Sequence, residues 1–167
     1  MFKLKNKTKK ILSIVLIVGV LLGAVAGIIA LTGRDEADEG YELVKTDFDR
    51  GGLAASGKYS DTKASIYTAT AFEVNDTVRV KLDFNSTVTY KVFFYDDDNT
   101  FVSASEEYAK TADVEVPEGA TCARLVVTPI WDSDVKEANR VVRFWQVGKY
   151  KKQLSIMTVP ATEAAAD

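Results

Sequence analysis

Histidine is absent from the 167 residues, and cysteine occurs once, at Cys122. Without histidine the chain lacks the side chain that most often moves protons near neutral pH and most often binds metal ions. A single cysteine precludes an intramolecular disulfide. Eukaryotic ectodomains of this size use several disulfides in the oxidising exterior, so their lack points to a bacterial surface with a single membrane. No glycine-framed serine marks a nucleophile, and Cys122 has no histidine to activate it. Glu106 and Glu107 are adjacent in the chain, and adjacent residues in extended backbone face opposite ways, so the pair cannot flank one glycosidic bond. The expectation is a protein without catalysis and without a cofactor. Basic excess is also missing from most of the chain: residues 34–167 hold all 24 acidic residues against 16 Lys and Arg. Such a surface excludes nucleic acid as a partner, because that binding is driven by neutralising phosphates.

What is present is an uncharged, predominantly apolar run from Ile11 to Gly33. At about 1.5 Å per helical residue it reaches roughly 34 Å, enough for a hydrocarbon core of about 30 Å. Lys3, Lys5, Lys7, Lys9 and Lys10 precede it, and Asp35, Glu36, Asp38 and Glu39 follow it. The positive-inside rule therefore places the N-terminus in the cytoplasm and the rest outside, as a single-pass protein of the plasma membrane. A cleaved signal peptide is the rival, with Ile11 to Leu22 as the apolar region and Ala24-Val25-Ala26 as the cleavage pattern. The run continues through Ile28, Ile29 and Leu31, which favours an uncleaved anchor. No cysteine stands near its end to take a lipid. Gly19, Gly23 and Gly27 recur every four residues, a spacing that lets two helix backbones approach and form a transmembrane homodimer. Gly is also simply frequent in such helices. The organisation expected is a basic tail (1–10), the membrane helix (11–33), an acidic juxtamembrane linker (34–41), one extracellular domain (42–158) and a disordered tail (159–167).

Within 42–158 the pattern is strand after strand. Val78, Val80 and Leu82 alternate with Arg79 and Lys81, the period of a half-buried strand. From Thr87 to Tyr95, Val88, Tyr90, Val92 and Phe94 share one face and Thr89, Lys91, Phe93 and Tyr95 the other. Aromatics on both faces predict a central strand covered on both sides at its Phe93-Phe94-Tyr95 end. Further strands are predicted over 42–48, 65–70, 101–105, 112–116, 121–128, 141–147 and 153–158. Turn residues separate them, at Arg50-Gly51-Gly52, Asn75-Asp76, Asn85-Ser86, Asp96 to Asn99 and Pro117-Glu118-Gly119. A helical turn is expected only within 134–139. About nine short strands with frequent turns make an antiparallel β-sandwich.

The stretch from Tyr90 to Ser103, with Phe94-Tyr95-Asp96 leading to Phe101-Val102-Ser103, is followed by Val116-Pro117 with Gly119-Ala120 and then Ala123-Arg124. This order resembles a jelly-roll module of Gram-positive surface proteins and phage tail proteins, similar to carbohydrate-binding modules. Gly57 to Ser60 and Tyr67 to Thr70 suit the opening strands of that family, so the resemblance covers about 52–127. It departs at Cys122, where the family has Tyr or Phe. It implies a jelly-roll-like sandwich and a carbohydrate ligand.

Two motifs have competing readings. Asp96-Asp97-Asp98-Asn99 has the carboxylates of a calcium loop, but Phe101 stands where such a loop needs glycine, and Asp and Asn also stabilise ordinary hairpin turns. Trp131, with Asp132 and Asp134, combines a flat apolar face with hydrogen-bond acceptors, as a sugar requires; a Trp closing one end of the core is the alternative. Trp145 alternates with the other residues of its predicted strand and is assigned to the core. Arg140, Arg143, Lys149, Lys151 and Lys152 make the C-terminal part locally basic, which a lysine-protected edge strand explains. The expected function is a non-catalytic binding domain on the bacterial surface for a cell-envelope glycan. The alternative is a structural or assembly protein that docks on another membrane or envelope protein.

Overall fold

The computed structural model describes residues 37–160. The basic tail, the apolar run with Gly19, Gly23 and Gly27, residues 34–36 of the linker and residues 161–167 of the tail lie outside the described residues. Among the described residues no helix is long and apolar enough to cross a membrane.

Alternation of apolar and polar residues drives two antiparallel sheets. The four-stranded sheet runs in the order β1 (Glu42–Leu43), β12 (Leu154–Thr158), β7 (Thr77–Leu82) and β10 (Ala112–Glu115). The six-stranded sheet runs β2 (Phe48–Arg50), β5 (Ile66–Thr68), β11 (Cys122–Pro129), β8 (Val88–Tyr95) and β9 (Phe101–Ala104), with β6 (Phe72–Glu73) also on β11. A separate hairpin joins β3 (Gly52–Leu53) to β4 (Tyr59–Ser60). The result is a mostly antiparallel, sandwich-like all-β fold.

The core lies between the two sheets. β7 sends Val78 and Val80 inward, β8 sends Val88, Tyr90, Val92 and Phe94, and β11 sends Ala123, Leu125 and Val127. Ile66, Val114 and Ile156 complete the contact between the layers. Burying each large apolar side chain stabilises the fold by roughly 1.5–3 kcal/mol before conformational entropy is subtracted. The full-length pairing of β8 with β11, from Cys122 opposite Tyr95 to Pro129 opposite Val88, sets the register of this layer.

The outer face of the six-stranded sheet is covered too, as the aromatics of β8 predict. Phe93 and Tyr95 form a second cluster with Val126, packed by Leu53, Tyr67 and Phe101. The β3–β4 hairpin turns at Gly57, whose φ of +73° favours glycine, and a Cβ there would lie 2.3 Å from the Phe101 ring.

Three sequence expectations are corrected. The run 42–48 is not one strand: β1 and β2 belong to different sheets, and the chain crosses between them. Residues 141–147 form no strand either. Phe144–Gln146 is a 3₁₀ turn that leads into a short helix, α1 (Val147–Lys151). Val142 is fully buried and donates its N–H to the Lys63 carbonyl at 2.7 Å, while Arg143 N–H donates to Gln146 Oε1 at 2.8 Å and closes the turn. Trp145 is consequently not in the core but 60% exposed. The helical turn expected within 134–139 is present, as a 3₁₀ turn over Glu137–Asn139.

Residues 37–41 lie against the outer face of the four-stranded sheet. Asp38 N–H meets the buried Met157 sulfur at 3.4 Å, its carboxylate accepts from Lys81 and Arg79, and the Arg79 guanidinium lies 4.2 Å from the Tyr41 ring centroid.

Candidate functional site

Two surface features stand out: the long connection from β11 to β12, and a groove between the edge strands β9 and β10. The connection begins at Ile130, 57% exposed, whose N–H still pairs with the Thr87 carbonyl at 2.8 Å. Trp131 follows and packs, partly buried, against the main core. Its Nε1 is buried without a hydrogen-bond partner. An unpaired buried donor costs about 1–3 kcal/mol, so this indole is held by packing and not by polar contacts. Asp132 and Asp134 are exposed, and Asp134 accepts a hydrogen bond from the Ser133 hydroxyl at 2.9 Å. The loop thus brings the two carboxylates to solvent but turns part of the aromatic face to the core.

The large aromatic surface open to solvent lies further along the same connection. Phe144 is 76% exposed and packs edge-on against Trp145, ring centroids 5.0 Å apart. The Arg143 guanidinium lies 5.2 Å from the Trp145 ring centroid. Sequence reasoning missed this pair by extending strand alternation through it. The signal was present: two adjacent aromatics on a half-buried strand face opposite ways, so at least one had to be exposed.

The groove has a volume of about 370 Å³ and lies where the two sheets part. Phe94 and Val114 contribute core side chains to it; Ser103, Ser105, Tyr108 and Glu115 supply polar groups. Tyr108 is set by a bridge to Tyr90 on β8, with the rings stacked at 5.5 Å. Burial pushes the Tyr108 hydroxyl above its ordinary value, and the Glu106 carboxylate adds to the shift. Both effects keep the hydroxyl protonated. Ser105 Oγ already accepts from Val92 N–H at 3.0 Å and donates to the Glu106 carbonyl at 2.6 Å. Ser103, Tyr108, Asp113 and Glu115 are the groove's other polar side chains, and the Asp113 carboxylate is engaged by Arg79.

Asp96 to Asn99 is a tight hairpin turn. Asn99 has φ of +59° and donates its N–H to the Asp96 carbonyl, while the Asp96 carboxylate accepts from Thr100 N–H at 2.7 Å. The Asp96 side chain serves the turn itself, as Asx residues do. Cys122 is half-buried, and burial pushes its thiol up and keeps it neutral. Glu107 accepts from the Thr89 hydroxyl.

Compared with protein-family models, curated proteins and solved structures, the chain matches none. The resemblance to jelly-roll modules therefore rests on the sequence motifs alone.

Proposed function

We propose that this chain is a membrane-anchored bacterial surface protein whose jelly-roll-like sandwich binds an envelope carbohydrate without catalysing a reaction. The observation that carries this reading is the groove between β9 and β10. Its volume is that of a small-ligand site, and its lining combines an aromatic ring with hydroxyl and carboxylate groups. That mixture suits a sugar ring, which presents C–H faces and many hydroxyls. The strand order supports the jelly-roll part of the reading: the chain passes between the sheets from β1 to β2, β6 to β7, β7 to β8, β9 to β10, β10 to β11 and β11 to β12. The loop with Trp131, Asp132 and Asp134 offers a second place for the ligand, with its carboxylates open to solvent. The apolar run 11–33 supports the anchor, with the N-terminus inside.

A second reading, docking on another envelope protein, is favoured by the partial burial of Trp131, which leaves less of its face for stacking.

Titration of the full-length, detergent-solubilised chain with envelope polysaccharides separates the readings. A shallow site gives dissociation constants on the order of millimolar to micromolar. Binding lost in Ser103→Trp, which fills the groove, places the ligand there, whereas binding lost in Trp131→Ala places it on the loop. Binding to no envelope polysaccharide refutes the carbohydrate reading and leaves protein docking. Protease treatment of intact cells tests the topology: it removes the domain and spares the anchor, and a mature chain beginning near Gly27 refutes the anchor.

A further inference from the structure

We infer that Phe144 and Trp145, with the cations around them, form a contact surface for the anionic lipid bilayer in which the chain is anchored. The inference rests on the reading of residues 11–33 as an uncleaved membrane helix.

Three observations lead to it. First, the two aromatics are held outward by structure. Buried Val142 and Tyr150 flank the turn, and the Arg143–Gln146 hydrogen bond closes it, so Phe144 and Trp145 stand 76% and 60% exposed on a fixed support. Trp and Phe beside Lys and Arg are the side chains that favour the headgroup boundary of a bilayer.

Second, the charge is local and opposite to that of the domain. Residues 136–152 carry six cations against the single anion Glu137, whereas the other described residues carry 19 acids against nine bases. Lys151 is paired with Asp47 at 3.0 Å, but Arg143, Lys149 and Lys152 are exposed. The edge-strand explanation for these lysines no longer applies, because Lys149 and Lys151 lie in the short helix and Lys152 caps it, on no sheet edge. Anionic headgroups attract such clusters, and the attraction fades within a Debye length.

Third, the tether is short. Only Arg34, Asp35 and Glu36 separate the apolar run from Ala37. So few residues keep an anchored domain at a high effective concentration beside the bilayer. Contacts too weak to recruit a free protein suffice at so high an effective concentration.

The test uses the full-length chain in vesicles of brominated phosphatidylcholine, with or without about a third of anionic phosphatidylglycerol. Bromine quenches only tryptophan that reaches the bilayer. The expected result is quenching that strengthens with phosphatidylglycerol, weakens in high salt, and disappears in Trp145→Phe, which retains Trp131. Arg143→Glu with Lys149→Glu weakens it while the melting temperature stays unchanged. A chain that floats with the vesicles but shows no quenching, or the same quenching in Trp145→Phe, overturns the inference and leaves the anchor intact. A shift of Trp145 emission with soluble polyphosphate but not with the vesicles assigns the patch to an anionic polymer and likewise overturns it. A chain that fails to float with the vesicles refutes the anchor, and the inference falls with it.

Discussion

The Tyr95 hydroxyl donates to the Gly57 carbonyl at 2.6 Å across 38 positions of sequence, and so pins the β3–β4 hairpin to the outer face of the six-stranded sheet. The bond is buried, and burial pushes the tyrosine hydroxyl above its ordinary value. Tyr95→Phe leaves the Gly57 carbonyl unpaired and is expected to destabilise the domain by about 1–2 kcal/mol. Gly57→Ala is expected to cost more, about 2–4 kcal/mol, because positive φ and a clash with Phe101 act together. Urea unfolding of the two variants checks both values, and a larger loss in Tyr95→Phe contradicts the account.

Arg79 forms a two-pronged pair with Asp113, at 2.6 and 2.7 Å, and reaches Asp38 at 3.2 Å. The hydrogen bond from Arg79 lowers the Asp113 carboxyl below its ordinary value, and that from Lys81 lowers Asp38. Carboxyls lowered on folding stabilise the native state fully above the unfolded value of about 4, and the benefit is lost as pH falls through the lowered values. Melting temperature is therefore expected to drop as the solution is acidified below about pH 4. Asp113→Asn should flatten that part of the profile, and an unchanged profile removes the pair from the account. These groups are partly exposed, so the effect is modest and screened by salt.

Trp131 tests whether the indole serves packing. Trp131→Phe keeps most of the apolar contact and removes the unpaired buried Nε1–H, so stability should change by less than about 1 kcal/mol. Trp131→Ala removes the contact itself and is expected to cost about 2–3 kcal/mol, less than a fully buried Trp. Equal losses in the two variants would show that Nε1 has a polar partner after all.

Cys122 should react slowly with thiol reagents. Its half-burial and raised thiol value keep the thiolate scarce at pH 8, and its Sγ faces the Asp96 carbonyl at 3.6 Å. Alkylation of the native chain is expected to lag well behind that of the urea-unfolded chain; equal rates would place the thiol at the surface.

Strand identity was legible where local pattern and tertiary demand coincide. Alternation in β7 and aromatics on both faces of β8 required one half-buried strand and one covered on both sides, whatever their partners. Asp96 to Asn99 and Pro117 to Gly119 stopped strands through their own backbone chemistry, with Asn99 and Gly119 at positive φ. The stretch 141–147 was misread because β-branched and aromatic residues in alternation satisfy a strand pattern without a strand partner. Its conformation is decided by Val142 entering the core and by the Lys63 carbonyl, 79 positions earlier in the chain. The same limit hid the break between β1 and β2, since membership of a sheet is a property of pairs of distant segments.

The sequence by itself determined the β class, most strand positions, their inward faces and the apolar run before the domain. These follow from the two-residue period of a strand, from turn chemistry and from hydrophobic length, all of which act within a few neighbouring residues. Only the tertiary structure decided which strands share a sheet, where β9 and β10 part to open the groove, and which tryptophan faces water. Those outcomes depend on long-range pairing and on competition for a limited interior. Trp131 packs against that interior, whereas Val142 enters it near Trp145 and leaves the larger ring outside.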